Sequence, residues 1–221
     1  RWRGTATRFA GEFPVSYLLA WVQVESSGEP TELTVQGESG LFQVHPSEAE
    51  TLGIDLSRLR RNALPGSADG DYQFLAGLKL VRYRRDKAQK RLVDLGLGID
   101  ALGLLRMTKL THALPKLAWE MPAWYVTNKG RGPASWEKLI AHAHDLAYAA
   151  DDRVTWLRAY DKYHDPKTIV GGLERLLKNS QKVGDAVLDA GESPVRITRS
   201  FPVAASAALL ALALGAAGFF G

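Results

Sequence analysis

"VESSG", residues 24–28, decides how the first part of this chain is read. Pro14 suits the first turn of a helix, and Val15, Leu18, Leu19, Val22 and Val24 make the stretch after it mostly apolar. Ser26, Ser27 and Gly28 are residues at which helices stop. Glu25 therefore falls on the last turn of a buried helix, a poor place for a carboxylate. The C-terminal end of a helix carries partial negative charge, and Trp21, four residues earlier, lies on the same face and dries the carboxyl. Both effects disfavour the ionised form, so the sequence predicts a raised Glu25 pKa. A carboxyl that keeps its proton near neutral pH is what acid-assisted cleavage of a glycosidic bond needs. The plain alternative is a glutamate at a helix end that faces water.

The segments that follow are short and rich in turns. "LTV" and "LFQV", set around Gly37 and Gly40, predict a small β-hairpin. Ser47 with Glu50 reads as a capping box that opens a short helix ending near Gly53. After a loop containing "LPGSADG", the pattern from Asp71 to about Leu95 is helical, with Tyr72, Leu75, Leu78, Val81 and Leu92 as its apolar face. The basic run "RYRRDKAQKR", residues 82–91, reads first as a solvated helix face and second as a contact for an anionic polymer. Further helices are expected over 99–110, 115–127, 134–150 and 153–163. An apolar stripe of Leu173, Leu176, Leu177, Val183, Val187 and Leu188 marks one more over 167–190, ended by Gly191 and Pro194.

Bulk properties narrow the classes. The chain of 221 residues suffices for one well-cored domain with appendages, or for two small domains. It contains no cysteine, which excludes disulfides and thiolate metal sites. Its net charge of +4 suits an acidic polymer or an anionic membrane surface and is too small to imply nucleic acid. His142 and His144 are too close together for the paired histidines of a helical zinc site. Nothing resembles a nucleophile elbow or a phosphate-binding glycine loop, so no metal and no cofactor are expected. The chain opens on Arg1 without a signal peptide, which suggests a removed leader or, preferably, a piece of a larger protein. Residues 201–221, "FPVAASAALLALALGAAGFFG", carry no charge. About 20 helical residues span a bilayer core, and Arg196 and Arg199 stand where interfacial anchors would. A membrane segment is the expectation; a buried core helix is the alternative.

One constellation goes further. Glu25-Ser26 is followed, after about a dozen residues, by Gly37, Gly40, Leu41, Phe42, Gln43, Val44 and Pro46. That order resembles the lytic transglycosylase family, the soluble, goose-type-lysozyme-like enzymes of peptidoglycan. "EAETLGI", 48–54, and "DYQFLAGLKLVRYR", 71–84, also look like the helices that follow in that family. The resemblance runs from about 14 to 85 and weakens after 95. It implies that Glu25 is a single catalytic acid/base. Glu25 would protonate the oxygen between N-acetylmuramic acid and N-acetylglucosamine, then take a proton from the muramyl 6-hydroxyl to close a 1,6-anhydro ring. Ser39, Phe42 and Gln43 would line the sugar cleft, although Gln43 also reads as a satisfied core amide. A tyrosine that reaches the acid is matched only loosely, by Tyr125 with Asn128 in "AWYVTNKGRGP", 123–133. Two residues separate that tyrosine and asparagine where the family has none, which leaves a buried aromatic as the other reading. Glu38 stands where the family commonly has alanine, Phe42 where it has methionine, and Gly28 where it has an aromatic or apolar residue. Glu38 is either an exposed turn residue or a second carboxylate able to activate water, which would give simple hydrolysis.

The expectation is thus a mainly α-helical, lysozyme-like domain over 1–165, an amphipathic helix and linker over 166–200, and a hydrophobic membrane segment over 201–221. Its expected partners are peptidoglycan glycan strands, the membrane through 201–221, and a larger virion or envelope assembly, with no nucleic acid. Its expected place is the bacterial envelope, on the periplasmic face, or a virion. A non-catalytic, lysozyme-like scaffold or glycan-binding component is the main rival, and a chitin-directed glycosidase a lesser one.

Overall fold

Proline, glycine and short polar residues punctuate this chain into helices. The structure, a computed structural model, describes residues 1–141, Ala143 and residues 166–194. Helices α1 (Arg3–Phe9) and α2 (Val15–Ser26) open the chain, with Pro14 immediately before α2. Short helices α3 (Pro46–Leu52) and α4 (Leu56–Leu59) lead to the long α5 (Ala68–Asp94). Then come α6 (Ala101–Ala113), α7 (Pro115–Lys129) and α8 (Trp136–Ile140), and, after the undescribed stretch, α9 (Pro166–Asp189). A two-residue parallel pair, β1 (Leu97–Gly98) with β2 (Gly132–Pro133), ties the end of α5 to the end of α7. The fold is mainly α, as expected.

Several boundaries move for identifiable reasons. Ser67 caps α5, its hydroxyl accepting the Gly70 N–H at 3.1 Å, so that helix starts before Asp71. The capping box of α3 is not Ser47 with Glu50. Instead the His45 ring accepts from Ser47 N–H at 3.3 Å while Glu48 accepts from His45 N–H at 3.1 Å. Pro46, which lacks an N–H to satisfy, occupies the first helical position. The expected hairpin is also replaced. Residues 33–44 form only two isolated bridges, Leu33 to Ser39 and Ser39 to Val44, because glycine turns at Gly37 and Gly40 fold the loop back before a ladder can grow. Helix α6 runs on to Ala113, past the expected 110.

Among the described residues, two apolar clusters form the interior. The first joins α1, α2, the 41–44 loop and α5 through Tyr17, Trp21, Phe42 and Phe74. The second joins α5, α6, α7 and α8 through Leu92, Met107, Leu117 and Trp136. Helix α6 serves both, with Leu105 in the first and Met107 and Leu110 in the second. Helix α9 packs on α2 and α6. Its apolar stripe is divided likewise: Val183 and Val187 enter the first cluster, and Leu173 and Leu177 the second. Among the described residues no helix is long and apolar enough to cross a membrane. The expected membrane segment 201–221, the helix expected over 153–163 and most of that expected over 134–150 lie outside the described residues.

A candidate active site at the end of helix α2

Helix α2 stops where the sequence places its stop. Ser27 takes the left-handed conformation at φ 53° and Gly28 follows at φ 83°. The Ser26 hydroxyl lies 3.1 Å from Val22 O and 3.0 Å from Leu41 O, which ties the helix end to the loop carrying Leu41 to Val44. Gln73 of α5 holds the same loop from below. Its Oε1 accepts from Leu41 N–H at 3.1 Å, and its Nε2 donates to Pro30 O at 3.0 Å and Leu59 O at 3.2 Å. Gly77, one turn further along α5, admits the Phe42 ring. A Cβ there would lie 2.1 Å from Phe42 Cδ2. Helix end and loop are thus fixed to one another with Glu25 at their junction.

Glu25 keeps 18 % of its side-chain surface, the most exposed member of a buried polar chain. Its Oε1 accepts a hydrogen bond from the Lys109 ammonium, which is 2 % exposed and rests 4.9 Å from the Trp21 ring centre. His112 Nε2 is 3.6 Å from the same oxygen, and its ring lies 5.3 Å from that of Trp21. On the far side His112 Nδ1 is 4.0 Å from Glu48 Oε1. Arg84 Nε closes the chain on Glu48 at 2.7 Å. Trp21 therefore acts less as a lid on Glu25 than as a shelf for the two α6 side chains beside it.

These neighbours overturn the expected Glu25 pKa. Burial does push its carboxyl up, but the positive field of Lys109, with a smaller share from His112 and the Lys109 hydrogen bond, outweighs it. The carboxyl is held below its ordinary value and is ionised at rest. Burial also pushes the His112 imidazole down to about 4, so the ring is neutral at neutral pH. Glu38 behaves in the opposite way to Glu25. It is half-buried on the Gly37–Gly40 turn, and the Thr34 hydroxyl donates to its Oε2 at 3.1 Å. Burial raises its carboxyl, and the negative fields of Glu25 and Glu48 raise it further against the Thr34 bond. The two carboxyls share one field, with the proton favoured on Glu38.

The other expected site residues fall in different places. Phe42 is 1 % exposed and packs edge-on against Phe74, so it is core rather than sugar-lining. Ser39 is fully buried. Its hydroxyl donates to Gly37 O at 3.0 Å and accepts from Arg60 Nε at 3.2 Å, so it shapes the turn from inside. Gln43, 2 % exposed, takes the core-amide reading: Nε2 donates to Gly40 O at 2.8 Å and Glu32 O at 3.2 Å. Its φ of 50° is unusual for a side-chain-bearing residue, and its Oε1 has no hydrogen-bond partner among the described residues. Tyr125 lies on α7 against the second apolar cluster and is not among the groups that perturb Glu25. Asn128 is exposed and donates back to Trp124 O at 2.8 Å within its own helix. Neither joins the Glu25 constellation. Lys109, His112, Glu48 and Arg84 do, and sequence reading did not single them out.

No group of three or more acidic or histidine side chains among the described residues could hold a metal ion. His142 and His144 lie outside those residues. Comparison of this chain with protein-family models, curated proteins and solved structures finds no match.

Proposed function

We propose that this chain cleaves peptidoglycan glycan strands at the bond between N-acetylmuramic acid and N-acetylglucosamine, with Glu25 and Glu38 as its two working carboxyls. The observation that carries this reading is the junction itself. A partly exposed carboxylate stands at the end of α2, and a second carboxyl on a glycine-turned loop shares its field. Two carboxyls whose surroundings drive their pKa values apart divide naturally into base and acid. The resemblance over 14–85 supplies the substrate class.

The Lys109 ion pair argues against a mechanism in which Glu25 alone starts as the acid. In the version proposed, Glu38 gives its proton to the glycosidic oxygen, which leaves as a hydroxyl when the sugar C1–O bond breaks. The Glu25 carboxylate stabilises the cationic sugar. It then takes a proton, either from the muramyl 6-hydroxyl as the 1,6-anhydro ring closes, or from a water that adds to C1. A proton passing from Glu25 to Glu38 restores the start. Lys109 keeps Glu25 ionised until it takes that proton, and neutral His112 stays available to hydrogen-bond it.

Clearing of a suspension of purified walls tests the reading. Glu25→Gln and Glu38→Gln should each slow clearing by about 100-fold or more, the usual worth of a positioned proton donor or acceptor. Clearing at the wild-type rate by both would end it. Loss in Glu25→Gln alone would return the work to a single carboxyl. A second reading, a non-catalytic lysozyme-like component of a virion or envelope assembly, is favoured by one observation: an ion-paired glutamate also serves as a purely structural group. Failure of the wild type to clear walls would favour it. In either setting residues 201–221 would hold the domain at a membrane.

A further inference from the structure

The basic run of α5 is not one uniform solvated face. Arg82 and Arg85 point to the α1 side and are both neutralised by Glu12, at 2.8 and 3.0 Å. The opposite side of the same run borders a groove of about 540 Å³ between α5 and α7. Arg84, Lys87, Lys90, Arg91 and, from α7, Lys116 line it, and among the described residues no carboxylate does. Arg84 is committed to Glu48 and Lys90 to Asp94, whereas Lys87 and Arg91 rest on aromatic rings. Lys87 Nζ lies 4.4 Å from the Tyr83 ring centre, and the Arg91 guanidinium lies 4.1 Å from that of Trp119. Trp119, 52 % exposed, gives the groove a flat apolar wall. Arg84 and Thr111 place one end of the groove directly behind the Glu48–His112 part of the carboxylate chain.

Lys87 and Arg91, held on aromatic rings beside an exposed tryptophan, fit a ligand that carries carboxylates on a partly apolar chain. We propose that this groove takes the carboxylate-bearing peptide branches of the glycan that Glu25 and Glu38 cut. This rests on the peptidoglycan reading and adds the substrate form: strands that still bear their peptides. Lys87 and Arg91 meet the branch carboxylates, and Trp119 covers its apolar part.

Two arms test the groove and the cleavage separately. In the first, full-length wild type, Lys87→Glu and Arg82→Gln are titrated with the free wall tetrapeptide at low and high salt. Wild type and Arg82→Gln should bind in a salt-sensitive way, and Lys87→Glu should bind about tenfold more weakly, the worth of one good charge contact. Equal binding by all three, or no binding by any, overturns the groove whether or not the protein cuts walls. In the second arm, KM is compared on intact strands and on strands stripped of peptide by an amidase. Lys87→Glu should raise KM about tenfold on intact strands, with no matching rise on stripped ones. Equal rises on both overturn the peptide assignment. If no strand is cut at all, the peptidoglycan reading fails, and peptide binding in the first arm still scores the groove.

Discussion

Lys109 is the residue on which the electrostatics of the candidate site turn. It is 2 % exposed, and its ammonium is satisfied by Glu25. Without it, burial and the end of α2 would act on Glu25 against the smaller influence of His112 alone, and both favour the protonated form. Lys109→Met should therefore lift the Glu25 carboxyl from below to above the ordinary glutamate range. A carbon-13 NMR titration of that side chain reads the change, and an unmoved titration would contradict the electrostatic account. The sign for stability follows. A carboxyl depressed in the folded state contributes stability above about pH 4.5, lost as pH falls through its folded value, so Lys109→Met should flatten that acid limb. Glu25 was legible in the sequence because helix stop, tryptophan spacing and carboxylate all lie within a few residues. Lys109 lies 84 residues away, on a stretch that reads as an apolar helix. No local pattern says which carboxylate a distant lysine will meet, and so the sequence predicts a raised Glu25 pKa where the folded protein lowers it. Glu38, by contrast, was visible as a second carboxyl, but not as the one whose affinity for a proton is raised.

At the scale of elements, α5 builds the floor under the site. Gln73 supplies hydrogen bonds that a hairpin ladder would have made for itself, and that is why the 33–44 loop holds its shape on two isolated bridges. Replacing Gln73 with leucine strands the Leu41 N–H and two carbonyls in the interior. At about 1–3 kcal/mol for each unmet buried group, Gln73→Leu should cost at least about 2 kcal/mol in urea denaturation. A cost near zero would show that the loop is held elsewhere. Gly77→Ala tests the same floor by crowding. The added methyl meets Phe42, and overpacking of that kind costs about 1–3 kcal/mol. The hairpin expectation failed because glycine-bracketed apolar triplets look alike whether a partner strand or a helix side chain satisfies them. The helices themselves were legible from apolar periodicity, with ends off by a few residues where Ser67 or His45 took the cap.

For the whole molecule, the buried chain from Lys109 to Arg84 joins α2, α3, α5 and α6, and its middle member makes the assembly sensitive to acid. His112, with a side chain 5 % exposed, is pushed down to about 4 by burial, against an ordinary value of 6.5. The unfolded chain therefore takes up a proton that the folded chain refuses. Stability is fully present above pH 6.5 and falls as pH drops from there towards 4, by roughly 3 kcal/mol for this shift. Thermal unfolding from pH 8 to 4 should show that loss in the wild type and a shallower one in His112→Gln. Identical slopes would mean that His112 is not the group responsible. The mainly helical architecture was readable from the sequence at this scale. The way α6 threads both apolar clusters and carries Lys109 and His112 into the site was not, because it depends on how α2, α5 and α9 pack around it. The most direct test of the whole account is mass spectrometry of purified peptidoglycan incubated with the full chain and with Glu25→Gln. The account predicts fragments cut between N-acetylmuramic acid and N-acetylglucosamine from the wild type and almost none from the variant. The same fragments from both proteins at equal rates, or none from either, would contradict it.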